Sequence, residues 1–256
     1  MDKFLLAEKI KSSKAVDRGL FIQQICRNRR VLDLGCIRHD SESALNDRNW
    51  MHKKIKDVAS EVIGVDYLPD EIDKLKSSGY DIVFGDVTKP LDVPGKFDVI
   101  VAGDLIEHLT NFDGFFDNCR RLLKPDGIVV ITTANPFYSG EFHYLAFKKN
   151  FLVNPEHTCW IDPQCLAQLS ARFGFHIDDI HYVKNSWRLG QMICETRLMQ
   201  YDIHKDKWSD NSFTSKLFRL TLGNVFNIFY VPYRFFSGAG SALVKHSDYL
   251  AVLKLK

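Results

Sequence analysis

The 256-residue sequence has no uninterrupted apolar run long enough to cross a membrane. A membrane-spanning helix needs about 20 consecutive apolar residues. The segment from Met1 to Glu8 is broken by charged side chains, so it does not read as a signal peptide. We therefore expect a cytoplasmic protein without a membrane span.

The sequence also lacks an excess of charge of either sign. It contains 34 Lys and Arg side chains against 32 Asp and Glu, a net charge of +2, and no long basic tract. Proteins that bind nucleic acid usually carry a basic face or stripe. We therefore do not expect a nucleic acid partner.

Paired cysteines are a third absence. None of the six cysteines stands in a C-x-x-C pair, a spacing typical of metal sites and redox sites. Scattered cysteines favour reduced thiols in the cytoplasm over a disulfide framework. The positions are Cys26, Cys36, Cys119, Cys159, Cys165 and Cys194.

What the sequence does contain is a regular alternation of short apolar runs and helical patterns. The runs predict strands at 31–35, 62–66, 80–86, 97–104, 128–133, 175–183 and 247–254. The helical patterns lie at 2–28, 50–59, 69–79, 112–124 and 163–173, and residues 36–48 read as a long polar loop. This alternation predicts a mainly parallel sheet covered by helices on both faces.

The first two strands end in residue types that suit a nucleoside site. Gly35 follows the first strand, where a glycine lets the backbone turn and lets a ligand approach the main chain. Asp66 ends the second strand, where a carboxylate can bind the hydroxyls of a ribose. Residues 36–40 contain no further glycine, which argues against the G-x-G-x-x-G loop of a dinucleotide site.

The run Val31-Leu32-Asp33-Leu34-Gly35 resembles the first motif of the class I S-adenosylmethionine-dependent methyltransferases, (V/L)LD(L/V)GxGxG, without its later glycines. The resemblance implies an α/β, Rossmann-like, seven-stranded sheet with an antiparallel last strand, helices on both faces, and an insertion between strands six and seven. It divides the chain into an N-terminal helical segment (1–29), a methyltransferase domain (30–183 plus 247–256) and an insertion (184–246). It also implies S-adenosyl-L-methionine as the cofactor and S-adenosyl-L-homocysteine as the product.

The resemblance places the cofactor contacts at the ends of the strands. Asp66 would bind the ribose, Asp86 would accept a hydrogen bond from the adenine amino group, and Val87 would pack against the ring. Both acids could instead serve as helix caps or turn residues. The implied cofactor-binding residues are Asp33, Leu34, Gly35, Cys36, Asp66, Tyr67, Asp86, Val87, Asp104 and Leu105.

The segment Asp104-Leu105-Ile106-Glu107-His108-Leu109 is a candidate for chemistry. If a helical turn begins after the fourth strand, Asp104, Glu107 and His108 lie on one face. The segment resembles the E-x-x-E-H stretch of ubiquinone-pathway O-methyltransferases, where these side chains are associated with a metal. Asp is shorter than Glu at the first position, so we expect a wall of the cofactor or substrate site in preference to a divalent metal site.

The candidate catalytic bases are three histidines, because an imidazole near neutral pKa can take a proton from an acceptor hydroxyl. They are His157, His143 and His108. His157 lies near the start of a segment, 155–175, that resembles the tail of small-molecule methyltransferases. The resemblance therefore implies methyl transfer to a small-molecule hydroxyl, of a sugar, a glycan precursor or a quinone-like compound.

Two competing functions stay open. One is a catalytically inactive methyltransferase-fold protein that binds a partner, which the missing glycines after Gly35 would explain. The other is a nicotinamide dehydrogenase, which the absence of a pyrophosphate loop and of a Tyr-x-x-x-Lys pair disfavours.

The insertion contains two aromatic-rich stretches, 217–222 and 225–236. We expect them to pack on the sheet edge or to form a homodimer surface. Peripheral contact with a lipid surface is the second interpretation, because aromatic side chains with few charges suit an interfacial helix.

Overall fold

The computed structural model describes residues 3–138, 154–184 and 246–256, and all of them lie in one compact unit. The helices are α1 (Lys3–Ser12), α2 (Arg18–Cys26), α3 (Ser41–Asn46), α4 (Met51–Lys56), α5 (Pro69–Ser77), α6 (Phe112–Leu122) and α7 (Pro163–Arg172). The strands are β1 (Ala15–Val16), β2 (Arg30–Leu34), β3 (Glu61–Asp66), β4 (Ile82–Phe84), β5 (Phe97–Gly103), β6 (Leu123–Ala134), β7 (Phe175–Val183) and β8 (Asp248–Leu255). None of the helices among these residues is long and apolar enough to span a membrane.

The strands form one sheet in the order β1-β7-β8-β6-β5-β2-β3-β4. Strand β8 runs antiparallel to both of its neighbours, β6 and β7, whereas the other pairs are parallel. The predicted α/β sheet with an antiparallel last strand is therefore confirmed. In a parallel sheet, the carboxyl ends of the strands meet at one edge, which is where such sheets bind ligands.

Several local predictions were wrong. The described sheet has eight strands instead of seven, because the two-residue strand β1 pairs with β7, and two residues carry no periodicity to detect. The predicted loop 36–48 contains helix α3, which Asp40 caps by accepting from the Ser43 N–H. Strand β6 begins at residue 123, not 128, so α6 ends sooner than expected.

The core occupies both faces of the sheet, as the unbroken apolar strands predict. On one face, Leu32 and Leu34 pack with the aromatic side chains of α6. On the other face, Val31 packs with Ile22 and Ile55 from α2 and α4. Each fully buried side chain of this kind contributes roughly 1.5–3 kcal/mol. This burial fixes β2 on both faces and so fixes the position of the loop that follows it.

Helix α6 also holds the segment that follows Asp86. Asn118 is buried, donates to the Val87 and Lys89 carbonyls, and accepts from the Leu91 N–H. Because both the oxygen and the nitrogen of this buried amide have partners in the segment, the amide fixes the segment's position against α6. The end of β4 is therefore anchored by a polar contact from a neighbouring helix.

Some sequence predictions lie outside the described residues. They are the aromatic loop after Phe137 beyond residue 138, the candidate base His143, and the insertion from residue 185 to residue 245. These remain predictions.

Candidate functional site

A cavity of about 630 Å³ lies at the carboxyl ends of β2, β5 and β6. Its wall is formed by the first turn of α2, the loop after β2, the turn after β5, residues 154–157 and the start of β8. Of the predicted cofactor residues, the wall includes Asp33, Gly35, Cys36 and Asp104. Leu34, Asp66, Tyr67, Asp86, Val87 and Leu105 are not part of it.

Hydrogen bonds hold the loop after β2, which lacks the later glycines of the motif. Gly35 has a φ of +67°, a left-handed conformation that favours glycine, and its N–H donates to the Val65 carbonyl. The Cys36 carbonyl accepts from the Trp50 indole N–H at 2.7 Å. The Ile37 N–H donates to Asp66 Oδ2 at 2.8 Å. Contacts to Trp50 and Asp66 therefore fix the backbone of this loop.

Asp66, the predicted ribose acid, is buried at the end of β3 with 4% of its surface exposed. One carboxylate oxygen accepts from Ile37 and the other accepts from the Tyr67 N–H at 2.8 Å. Burial raises the pKa of this carboxyl, and the two backbone donors oppose that shift. A carboxylate oxygen can accept more than one hydrogen bond, so these contacts do not use the whole acceptor capacity of Asp66.

Asp86, the predicted adenine acid, has a different environment. Its side chain is 41% exposed, and Oδ1 accepts from both the backbone N–H and the hydroxyl of Thr88. These bonds lower the pKa of Asp86. This geometry is that of a turn acid, one of the two predicted roles. Tyr67 follows β3 and Phe84 ends β4, and both rings are exposed, whereas Val87 is buried.

Asp33 contacts a partner that the sequence analysis missed. Its Oδ2 lies 2.9 Å from Nδ1 of His52, a fully buried imidazole on α4. In the sequence His52 is one polar residue in a short helical pattern, and no motif marks it. Helix α4 brings this imidazole into contact with Asp33, whose carboxylate lies on the cavity wall.

The predicted helical face of Asp104, Glu107 and His108 does not form. The turn after β5 is a 3₁₀ turn that begins at Ile106, and Asp104 precedes it with a φ of +51°. This left-handed backbone turns the Asp104 side chain away, and its carboxylate binds Arg18 and the Thr132 hydroxyl. The periodicity argument was wrong here, because it assumed helical backbone from Asp104 onward. The three side chains therefore do not share one helical face, although all three line the cavity.

His157 joins Glu107 and His108 instead. One ring nitrogen from each histidine and one carboxylate oxygen of Glu107 all lie within 4.8 Å of one another. The two imidazole rings pack edge to face with their centroids 4.7 Å apart. Thr158 brings His157 there, because its N–H and hydroxyl both donate to the Glu107 carbonyl. Two imidazoles and a carboxylate at this separation suit proton exchange, and the same spacing would suit a cation.

The protonation of this cluster follows from burial. Burial, and secondarily the charge of Asp104, raises the pKa of Glu107 to about 7. Burial and the neighbouring His108 lower the pKa of His157. The Nδ1 atom of His157 has no hydrogen-bond partner among the described residues. His157 is therefore neutral at pH 7 and able to accept a proton.

Comparison with protein families identifies the chain. A family model described as a methyltransferase domain matches residues 5–180, which is more than half of the sequence. The chain belongs to this methyltransferase family. The resemblance drawn from the first motif is thereby confirmed, and most residues of the cavity wall fall within the matched range.

Curated relatives resemble the chain over part of their length. A protein described as a probable S-adenosylmethionine-dependent methyltransferase from Mycolicibacterium smegmatis is 29% identical over 159 residues, covering 60% of this chain and 54% of the relative. A ubiquinone biosynthesis O-methyltransferase from Rhodopseudomonas palustris is 29% identical over 111 residues, covering 41% of this chain and 40% of the relative. The chain thus spans about half or less of the length of these relatives.

Solved structures share the fold of the methyltransferase domain. An S-adenosylmethionine-dependent methyltransferase from Archaeoglobus fulgidus superposes with a TM-score of 0.52 at 20% identity, covering 99% of this chain and 100% of that chain. Another from Mesorhizobium loti gives 0.51 at 14% identity, covering 92% and 94%. At these identities the likeness shows the fold alone.

Proposed function

We propose that the methyltransferase domain transfers a methyl group from S-adenosyl-L-methionine to a hydroxyl of a small molecule. The observation that carries the proposal is the arrangement of the strand ends. The cavity wall contains Gly35 and Asp33, and Asp66 closes the next strand. When bound, the cofactor supplies a methyl group on a positively charged sulfur.

The residues present fit that cofactor. Asp66 retains acceptor capacity for ribose hydroxyls, and Tyr67 offers an exposed ring beside it. Asp33 and Glu107 place carboxyl groups on the cavity wall, where they could interact with a positively charged group of the ligand. The nucleoside would therefore bind beside Asp66, and the charged end would face the cavity.

His157 is the proposed base. Methyl transfer requires the acceptor oxygen to be aligned with the methyl carbon, and alignment of this kind is a large part of catalysis. A base that takes the hydroxyl proton adds typically 10²–10⁴-fold. His157 is neutral, lines the cavity and contacts His108. We assign His108 to holding the His157 ring, and His143 remains a sequence prediction.

The acceptor class is proposed from similarity and from the cavity. A named relative is a ubiquinone biosynthesis O-methyltransferase, and residues 155–175 resemble the tail of small-molecule enzymes. A sugar, a glycan precursor or a quinone-like compound would each present a hydroxyl to His157. Homodimerisation and contact with a lipid surface remain predictions from the insertion sequence.

The cofactor is tested by calorimetric titration of the purified protein with S-adenosyl-L-homocysteine, with NAD as the control. We expect saturable binding of the first ligand and no binding of the second. Binding of NAD alone would support the dehydrogenase alternative. Failure of the folded protein to bind either ligand would overturn the proposal.

The reaction is tested with radiolabelled S-adenosyl-L-methionine and a panel of catechols, hydroxyquinone precursors and sugars. Label transferred to one acceptor class, and lost when its hydroxyl is absent, supports O-methylation. Cofactor binding without transfer to any acceptor in the panel would favour the catalytically inactive alternative.

A further inference from the structure

His52 is a fully buried imidazole with a single polar contact. None of its surface is exposed, and Nδ1 lies 2.9 Å from Oδ2 of Asp33. A carboxylate can only accept, so Nδ1 donates to it. The second ring nitrogen, Nε2, is buried without a hydrogen-bond partner among the described residues. An unpaired buried nitrogen is costly, so the ring is held for the sake of the contact that it does make.

The elements around His52 leave room for this ring and fix its position. Gly64 stands on β3 opposite Asp33 on β2, and a Cβ atom there would lie 2.9 Å from Cε1 of His52, a separation that such atoms do not adopt. Trp50 and Tyr80 pack against the imidazole, with ring centroids 5.4 Å and 5.9 Å from its own. The missing side chain on β3 therefore provides the space, and two aromatic rings fill the rest of it.

The contact leaves Asp33 with one unpaired oxygen. The Asp33 side chain is 5% exposed and belongs to the cavity wall. While Oδ2 accepts from His52, Oδ1 has no hydrogen-bond partner among the described residues, and no Lys or Arg of this part of the chain forms an ion pair with Asp33. A buried carboxylate oxygen is costly without a donor, and a charged donor compensates it best. The cavity wall thus contains an acceptor that a ligand can fill.

The proposed cofactor contains one group that fits this acceptor. Its sulfonium has no N–H or O–H and cannot donate a hydrogen bond. Its ribose hydroxyls and its adenine amino group are assigned to the ends of β3 and β4. The ammonium group at its amino acid end has three N–H donors and a positive charge, and donors of this kind form the stronger hydrogen bonds to carboxylates. The ammonium group is therefore the matching partner for Oδ1.

We propose that His52 is a positioning residue, which holds Oδ2 of Asp33 so that Oδ1 is directed at the ammonium group of the cofactor. This inference rests on the proposed function, because it requires S-adenosyl-L-methionine or its product in the cavity. His52 acts through Asp33, since it is not part of the cavity wall itself. A carboxylate that is already held at one oxygen loses less rotational freedom when the ligand binds, and this raises affinity.

The test compares three ligands that differ only at the amino acid end. S-adenosyl-L-homocysteine has both an amino and a carboxyl group, 5′-S-(3-aminopropyl)-5′-thioadenosine keeps the amino group, and 5′-S-(3-carboxypropyl)-5′-thioadenosine keeps the carboxyl group. Calorimetry measures the affinity of each for the wild type and for His52→Phe, which keeps a ring and removes the donor. We expect the variant to bind the two amines about tenfold more weakly and the carboxypropyl ligand unchanged.

Two further variants serve as controls. His52→Asn should restore the affinity for the amines to within about twofold of the wild type, because the Asn N–H₂ group can replace the Nδ1 donor. In an Asp33→Ala background, His52→Phe should weaken none of the three ligands further, because the residue through which it acts is absent. A further tenfold loss in that background would contradict an effect through Asp33.

The outcomes separate this inference from the proposed function. If S-adenosyl-L-homocysteine does not bind the folded wild type, the proposed function fails. If it binds, and His52→Phe weakens all three ligands equally or none of them, the positioning role of His52 is overturned.

Should His52→Phe not fold, the wild type decides by ¹H–¹⁵N NMR of the histidine rings, with the His52 signals assigned by their absence in His52→Asn. We expect the Nδ1-protonated tautomer, because Nδ1 faces the carboxylate. The Nδ1 resonance should move when the aminopropyl ligand binds and stay in place when the carboxypropyl ligand binds. Equal shifts with both ligands, or the Nε2-protonated tautomer, would contradict the inference.

Discussion

The two halves of the ligand-binding edge hold their acidic groups in different ways. In the nucleoside half, the ends of β3 and β4, both oxygens of Asp66 accept from backbone N–H groups, and Asp86 accepts from its near neighbour Thr88. In the transfer half, the ends of β2 and β5 with the covering residues 154–157, Asp33 and Glu107 contact side chains on other elements, His52 and Thr133. The acids of the nucleoside half are therefore held by backbone groups and near neighbours, whereas those of the transfer half depend on how distant elements pack together.

The largest expected effect is on turnover. His157→Gln removes the neutral imidazole that faces the cavity, so we expect kcat for the acceptor found in the screen to fall by about 10²–10⁴-fold. Cofactor affinity should be retained, since His157 lies in the transfer half of the edge. The measurement is methyl transfer at saturating cofactor.

His176→Gln provides the control for that experiment, because His176 lies on β7 and does not line the cavity. It should leave turnover unchanged. The wild-type rate should also persist to lower pH than for an ordinary histidine base, because the pKa of His157 is lowered. An unaffected kcat in His157→Gln would assign the proton transfer to another group.

The next effect is on the pH dependence of stability. The folded-state pKa of Glu107 is raised from 4.5 to about 7, so the folded state binds this proton more tightly than the unfolded state. The resulting stabilisation is fully present below pH 4.5 and is lost as the pH rises through 7. We expect the unfolding free energy of the wild type, relative to Glu107→Gln, to fall by about 3 kcal/mol over that range.

Urea unfolding of both proteins at several pH values from 4.5 to 8 gives this difference. The Gln variant is isosteric and can still accept from Thr133, so packing is matched. Parallel curves for the two proteins would show that Glu107 does not titrate in this window.

The same contrast explains how far the sequence could be interpreted. The position of Asp66 at the end of a buried strand could be predicted, because it depends on an apolar run and a spacing visible in one dimension, whereas its ribose-binding role stays a prediction. The pairs Asp33–His52 and Asp104–Arg18 join residues 19 and 86 positions apart, and no local pattern announces them. Strands β2 to β8 were predicted from apolar runs, whereas β1 is too short to leave such a signal.

The third effect is on cofactor affinity at the nucleoside half. Asp66→Asn keeps one oxygen for the Ile37 N–H, replaces the oxygen that accepts from the Tyr67 N–H by an amide NH₂, and removes the charge that would bind ribose hydroxyls. Losing one charge-assisted hydrogen bond costs about 2 kcal/mol, so the affinity for S-adenosyl-L-homocysteine should fall by roughly 30-fold. Calorimetry measures it. Unchanged affinity in a folded variant would mean that Asp66 only holds the loop.

The smallest effect is expected at Asp86. Asp86→Asn preserves the oxygen that accepts from Thr88, so the turn and the thermal stability should be retained. Because the side chain is 41% exposed, loss of its charge should weaken S-adenosyl-L-homocysteine binding by only about 0.5–1.5 kcal/mol. Comparison with S-inosyl-L-homocysteine, in which a carbonyl group replaces the adenine amino group, decides whether Asp86 binds that amino group. If Asp86 accepts from that amino group, the variant and the analogue should each weaken binding, and their combination should weaken it no further. Additive losses would leave Asp86 as a turn residue and restrict nucleoside recognition to the end of β3.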